Sequence, residues 1–511
     1  MEGLVLDSPA AVAEDATLAA LLRCCVREVA GARGLVWSAP PYLLARVGGT
    51  LLRARTRGGA ALRFDGRPER LDHGVWHPLT SSELVRLAAS DLGEGAGNAE
   101  FGEQVAASRE ALEAILRARA VATPPADPWL ASEQGLVYGH PFHPSPKARG
   151  GADWLRYAPE AHARFELRLL GVPVEDVAEE GDAGALDLLG EAPPGYALLP
   201  AHPWQLELLG GLGDRVVDLG IGPEVVPTSS VRTVYAPGAG VCLKFSLDVR
   251  ITNCVRKNAW YELAGAVELD RRLGSTIFPE ISRRFPFARL LREPGYRSVS
   301  LGNRLLEGLG VIVRQSPWGV CSPGVTPMLA GALAAELTVA DPVAWWAAYV
   351  SVVAPPVLDL YFRHGVVLEP HLQNVLVGLD PTGLPVEVVY RDLEGAKLVT
   401  GRHDLTGVEP RVAEAMSYDA ERGWARVVYC LMVNHLTEIA ATVAPDEGTL
   451  RLLWTVAREI IAAHADGLGW PLPLRDLLAG TPLPAKANLS VRWARAADRA
   501  AGYVPIANPL A

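Results

Sequence analysis

From Cys242 to Thr252 hydrophobic and polar residues alternate without a break. Leu243, Phe245, Leu247, Val249 and Ile251 share one face of the strand this predicts. Lys244, Ser246, Asp248, Arg250 and Thr252 share the other, because strand side chains point alternately to opposite faces. A preceding strand is predicted over Ser229–Tyr235, with Pro237-Gly-Ala-Gly240 turning the chain between the two. A second hairpin is predicted further on. Asn374–Leu379 and the Val-rich run Leu384–Tyr390 flank the turn Asp380-Pro-Thr-Gly383. Its open end brings Asp392 near His371 and Asn374.

Elsewhere the period becomes helical. Residues 8–32 and 100–120 read as helices, with Thr50–Phe64 strand-like between them. The Ala/Pro-rich stretch VATPPADP (121–128) marks a first boundary, and 129–310 mixes strands with turns. Residues 328–365 predict helices broken at Pro355-Pro356. That break leaves the apolar run 342–358 too short to span a bilayer. Residues 408–470 read as long helices, with Trp424, Val427, Val428 and Leu431 on one face, a stripe that core packing explains. The segment from Leu472 is Pro-rich and then helical.

A chain of 511 residues is long enough for two or three domains and a large core. The formal net charge of −10 argues against nucleic acid as a main partner, although cations gathered in one cleft can still bind anions. The six cysteines (24, 25, 242, 254, 321 and 430) form no CxxC pair, as expected in a reducing cytoplasm. The opening MEGLVLDSPAAVAEDATL is acidic where an export signal needs positive charge, so none is expected.

The two hairpins carry the chemistry. Ser229, Ser230, Arg232 and Thr233 cluster near Lys244, and hydroxyls with Arg and Lys suit phosphate oxygens. An amide and a carboxylate, Asn374 and Asp392, suit a metal beside a phosphate. A solvated sheet face explains the first set equally simply, and a polar hairpin rim the second. His140 and His143 are spaced like metal ligands, but no Cys or carboxylate adjoins them to complete a zinc site. The Pro after each of His140, His143 and His202 favours extended backbone, and His143 and His202 read as buried structural residues. Lys147 and Arg149 read as a solvated loop or as part of a site. GVCSPG around Cys321 is not a nucleophile elbow, and no Ser-His-Asp or Cys-His signature appears.

Eight segments carry a family resemblance: GHPFHPSPKARGG (139–151), LLPAHPWQ (198–205), PTSSVRTV (227–234), LKFSLDVRITNCVRKN (243–258), EPHLQNVLV (369–377), YRDLEG (390–395), VNHL (433–436) and LPAKANLSVRW (483–493). With them the chain resembles the NRPS-independent siderophore synthetases, the aerobactin-synthetase-like (IucA/IucC) family. The resemblance implies an α+β fold with thumb, fingers and palm around one ATP cleft. It implies antiparallel sheets, a helical C-terminal palm and a kinase-like palm hairpin. The corresponding divisions are 1–125, 126–325 and 326–511.

It also implies a reaction. A carboxylic acid is activated with ATP and Mg²⁺ as an acyl-adenylate, pyrophosphate leaves, and an amine or hydroxyl attacks to give an amide or ester. Citrate is the favoured acid, and a homodimer is the implied assembly. The ATP contacts fall on Ser229, Ser230, Arg232, Thr233, Lys244, Arg256, His371, Gln373, Asn374 and Asp392, with the metal on Asn374 and Asp392. The acid contacts fall on His140, Thr252, Arg256, Glu369 and Lys486, and Arg256, His371 and Lys244 are the implied catalytic groups. A cation at Arg426 would suit a polyacid.

Two rivals stay open. EPHLQNVLV followed by YRD is kinase-like, but Gln373 stands where a small-molecule kinase needs a catalytic Asp. A non-catalytic polycarboxylate-binding homologue would be free to lose Lys244 or Asp392, yet both are present.

Overall fold

The computed structural model describes residues 8–93, 98–149, 151, 153–251, 254–496 and 502–511, with the backbone alone at 250, 251 and 254–256. It is a mixed helix-and-sheet fold. Helix Pro9–Cys24, capped by the Ser8 hydroxyl, packs on a five-stranded antiparallel meander running from Val36–Ala39 to Val75–Pro78. Helix Asn488–Trp493, from the other end of the chain, contributes Leu489 and Trp493 to that same core.

An eight-stranded antiparallel sheet spans residues 165–315. At its middle, Val241–Phe245 pairs with Thr233–Ala236 on one side and Val311–Gln315 on the other. The alternating run from Cys242 is not one strand. It ends at Phe245, and Leu247–Ile251 forms a separate hairpin with Cys254–Arg256. Ser246 marks the break: its N–H leaves the ladder for the Gly310 carbonyl, and its hydroxyl accepts from Asn258 N. The expected strand Ser229–Tyr235 likewise begins only at Thr233, with Ser229–Arg232 forming a turn. There the Thr228 N–H and hydroxyl both donate to Thr233 O at 2.9 Å, a local pairing that competes with the sheet ladder.

The second hairpin forms as the sequence predicts, with Val375–Leu379 against Pro385–Tyr390. The Asp380 carboxylate caps its turn by accepting from Thr382 N and Leu384 N, and Gly383 takes the left-handed conformation the turn needs. Ala288–Leu290 joins Pro385–Tyr390 in parallel, an exception among antiparallel pairings.

Helix Pro342–Phe362 runs straight through Pro355 and Pro356. The lost backbone bonds are outweighed by burial in the largest hydrophobic cluster, against helix Glu447–Leu468. Tyr390 Oη also donates to Val353 O beside the proline turn. At 21 residues this helix is long and apolar enough to cross a membrane, contrary to expectation, but 72% of its apolar window is buried inside the fold, as in a core helix. The C-terminal segment holds two short strands that the sequence pattern did not suggest, Leu483–Lys486 and Tyr503–Ile506, paired antiparallel.

Candidate functional site

Register explains how the first hairpin gathers its cations. Thr233 is paired with Lys244, and Cys242 with Arg314, so Lys244 and Arg314 stand on one sheet face. That face is not solvated: Lys244 is 2% exposed. Its ammonium lies 2.5 Å from Asp392 Oδ1 and 2.7 Å from Glu394 Oε2. Arg314 donates to the same Asp392 oxygen at 2.8 Å and to Glu293 at 2.7 Å. Arg232 bonds Glu394 at 3.0 Å and also Asn258. Burial disfavours charge on Lys244, but Asp392, Glu394 and Glu293 outweigh it and hold its pKa above the ordinary value. Burial also opposes the Asp392 carboxylate, and Lys244 and Arg314 hold it well below the usual range. Asp392 itself sits at φ 77°, a left-handed conformation that Asp tolerates better than most residues.

The second hairpin is tied to the first. Gln373 Nε2 donates to Ser229 O at 2.9 Å. Arg391 donates to the Ser229 hydroxyl at 3.1 Å and forks onto the buried Glu133 carboxylate at 2.5 and 3.0 Å. Ser229, Ser230, Arg232, Thr233, Lys244, Gln373, Asn374 and Asp392 therefore line one cleft, joined by Arg314 and Arg149. Asp392 and Asn374 offer hard oxygen donors that fit Mg²⁺. Among the described residues no group of three or more His, Cys, Asp or Glu is placed to hold a metal. Such an ion therefore fits here only with phosphate oxygens and water completing its shell.

A second cluster adjoins this cleft through His371. Its charge environment includes Asp392 and Arg391 from the cleft, and Glu369 and Arg426 from the other side. Arg426 Nε lies 3.1 Å from Glu369 Oε1. The Glu369 carboxylate leans so closely on Gly395 that a Cβ there would stand 3.2 Å from Oε2. His140 lies in the same cluster, near Lys486, Arg27 and His371. It is no cation: burial first, then His143, Lys486, Arg27 and His371, pull its pKa down to about 3. Its Nδ1 accepts from Phe142 N at 3.0 Å, and its Nε2 lies 3.0 Å from the Asn434 amide. Lys486 ends the strand Leu483–Lys486, opposite Tyr503. Arg256 ends the strand Cys254–Arg256, and Thr252 lies outside the described residues.

Lys147 and Arg149 are not a solvated loop. Lys147 is buried and bonded to Glu160, with Arg149 at 3.6 Å from the same carboxylate. His143 is buried, and His202 is packed among Tyr157, Phe165 and Phe245.

Sequence reasoning missed Arg314, Glu293, Glu394, Glu133 and Asn434. A lone Arg inside the apolar strand Val311–Gln315 was a usable signal for the first. Glu293 and Glu133 lie in loop and helix segments whose pattern carries none.

Residues 128–335 match the model of the IucA / IucC family, and residues 343–501 match that of the ferric iron reductase FhuF-like transporters. The rhizobactin siderophore biosynthesis protein RhbC of Rhizobium meliloti is 32% identical, covering 84% of each chain. The L-2,3-diaminopropanoate–citrate ligase of Staphylococcus aureus is 30% identical over 71% of each. The ATP-bound structure of aerobactin synthetase IucA from Klebsiella pneumoniae superposes with a TM-score of 0.82 at 23% identity, covering 97% of this chain and 99% of that one. The fold is thus siderophore-synthetase-like. The chain belongs to the IucA/IucC family.

Proposed function

We propose that this protein is an ATP-dependent siderophore synthetase. It adenylates a polycarboxylic acid, with citrate favoured, and releases pyrophosphate. It then condenses the acyl-adenylate with an amine or hydroxyl, forming an amide or ester and releasing AMP. The observation that carries the reading is the continuous site: a cation- and hydroxyl-lined cleft meets, at His371, a second cluster holding Arg426, Glu369, Lys486 and His140. Adenylation needs a triphosphate and a carboxylate side by side, as ATP-dependent activation of an acid does in general. Relatives named as citrate ligases support the substrate class.

In this reading Lys244, Arg232 and Arg314 oppose the phosphate charge, and the hydroxyls of Ser229, Ser230 and Thr233 orient phosphate oxygens. Arg256 reaches both the acid and the α-phosphate. Lys486 and Arg426 hold the remote carboxylates, and Thr252 and the neutral His140 hydrogen-bond the acid. Asp392 and Asn374 hold Mg²⁺, which when bound neutralises phosphate charge. His371 is kept neutral chiefly by burial and lies where a proton must be managed between the two halves. Thumb, fingers and palm correspond to 1–125, 126–325 and 326–511, with the kinase-like hairpin in the palm. The protein acts in the cytoplasm as a homodimer.

A screen of acids against hydroxylamine, read as pyrophosphate release, tests the reading. Release of ADP instead would favour a kinase. Against that outcome, the side chain at the kinase-base position is the Gln373 amide, bonded to Ser229 O. A chain that binds ATP and Mg²⁺ in a thermal-shift assay but turns over no acid would be a binding homologue.

A further inference from the structure

The long helix 420–443 contains a π-helical turn, Tyr429–Leu436. In an α-helix, residues five apart stand about 140° apart around the axis. A π-turn bonds i to i+5 and brings them together. Tyr429 and Asn434 are such a pair, with Asn434 Nδ2 3.3 Å from Tyr429 Oη. Both face His140 Nε2, at 3.4 and 3.0 Å. Because Phe142 N–H donates to His140 Nδ1, the proton of the neutral ring sits on Nε2, where the Tyr429 hydroxyl and, with its amide turned to present Oδ1, Asn434 can accept it.

The next residue points elsewhere. His435 Nδ1–H donates to the Pro370 carbonyl at 2.8 Å, and its Nε2 accepts from Tyr349 Oη at 2.5 Å. Tyr349 and His435 are both fully buried. Pro370 joins Glu369 to His371, so one turn of helix grips two loops that are 230 residues apart in sequence, between 140 and 370.

We propose that the π-turn Tyr429–Leu436 is the positioning element of the acid-binding half of the site. Phe142 N–H sets the tautomer of His140, and Asn434 and Tyr429 fix the direction of its Nε2–H. The Tyr349–His435 chain fixes the Glu369–His371 segment. Neither Asn434 nor His435 need touch the reacting atoms. The inference rests on the adenylation reading for its kinetic consequences, but not for the state of His140.

The test uses the full chain. Asn434→Ala raises the acid KM about tenfold or more and leaves the ATP KM within about twofold, with thermal stability near wild type. His435→Leu lowers kcat about tenfold or more, and His435→Asn, whose amide N–H can reach the same carbonyl, recovers most of it. Imidazole ¹⁵N spectra, with His140 assigned by loss of its signal in His140→Gln, show a neutral Nε2-protonated ring from about pH 5 to 8 in the wild type. In Asn434→Ala the ring keeps this tautomer, because Phe142 N–H is backbone, and its Nε2–H resonance moves as an acceptor is lost. An unchanged His140 Nε2–H resonance in that variant overturns the proposal. So does a rise in both KM values together with a lower Tm, which marks a merely structural turn. If the wild type activates no acid, the functional reading fails, and the spectra alone decide this proposal.

Discussion

Lys244 Nζ lies 2.5 Å from Asp392 Oδ1, across 148 residues of sequence. The cation expected for phosphate and the carboxylate expected for metal are thus partners of each other. Glu394 and Arg314 complete a buried network in which each charge already has an opposite. A triphosphate entering this cleft must draw the cations away from those carboxylates. Mg²⁺ would take up the carboxylate charge so released, which gives a physical reason for the two to bind together.

Lys244→Ala therefore has two effects. Pyrophosphate release falls about 100-fold or more, the scale of removing a preorganised charge contact. Stability falls by about 3 kcal/mol, because Asp392 and Glu394 lose a buried counter-charge. Rate assays and urea titration read the two separately. A folded variant with a wild-type rate removes Lys244 from the site.

Asp392→Asn abolishes turnover. It also lowers stability, by about 1–3 kcal/mol, since Lys244 and Arg314 both bond this carboxylate. The loss is limited because Glu394 and Glu293 remain with those cations. Retained turnover would show that the carboxylate is structural alone.

On the acid side, if Arg256 touches both acid and phosphate as proposed, Arg256→Ala raises the acid KM and lowers kcat. If Lys486 holds only a remote carboxylate, as proposed, Lys486→Ala raises the acid KM about 10-fold or more and spares ATP affinity. Steady-state kinetics with each substrate varied separates them. An unchanged acid KM in Lys486→Ala assigns that lysine to packing.

Glu28 ties the N-terminal unit to the C-terminal helix by accepting from Leu489 N, Ser490 N and the Ser490 hydroxyl. Burial raises its pKa from 4.5 to about 7 despite those bonds. The raised value means that the folded state holds a proton which the unfolded state releases near pH 4.5. The resulting stability is full below that pH and is lost as pH rises through about 7, a change of at most about 3 kcal/mol. Glu28→Gln flattens the dependence. Melting curves from pH 4 to 8 that coincide for both proteins would refute this.

Some local elements and the chemical inventory were legible along the chain. The 374–390 hairpin was legible because Asp380, Pro381 and Gly383 specify a turn between two Val-rich runs, and a turn is decided by neighbouring residues. Lys244 and Asp392 were legible as residue types matching a family pattern. Which residues meet depended on how the folded chain packs. Whether Pro355 breaks its helix depends on how much core surrounds it, and whether a run of alternation stays one strand depends on what Ser246 finds to bond. His140 carries no charge chiefly because it is buried, and neighbouring His143 together with Lys486, Arg27 and His371, from three other parts of the chain, adds to the effect. Electrostatics and burial act through space, so a pattern along the chain supplies the groups, and the packing sets their charge and their partners.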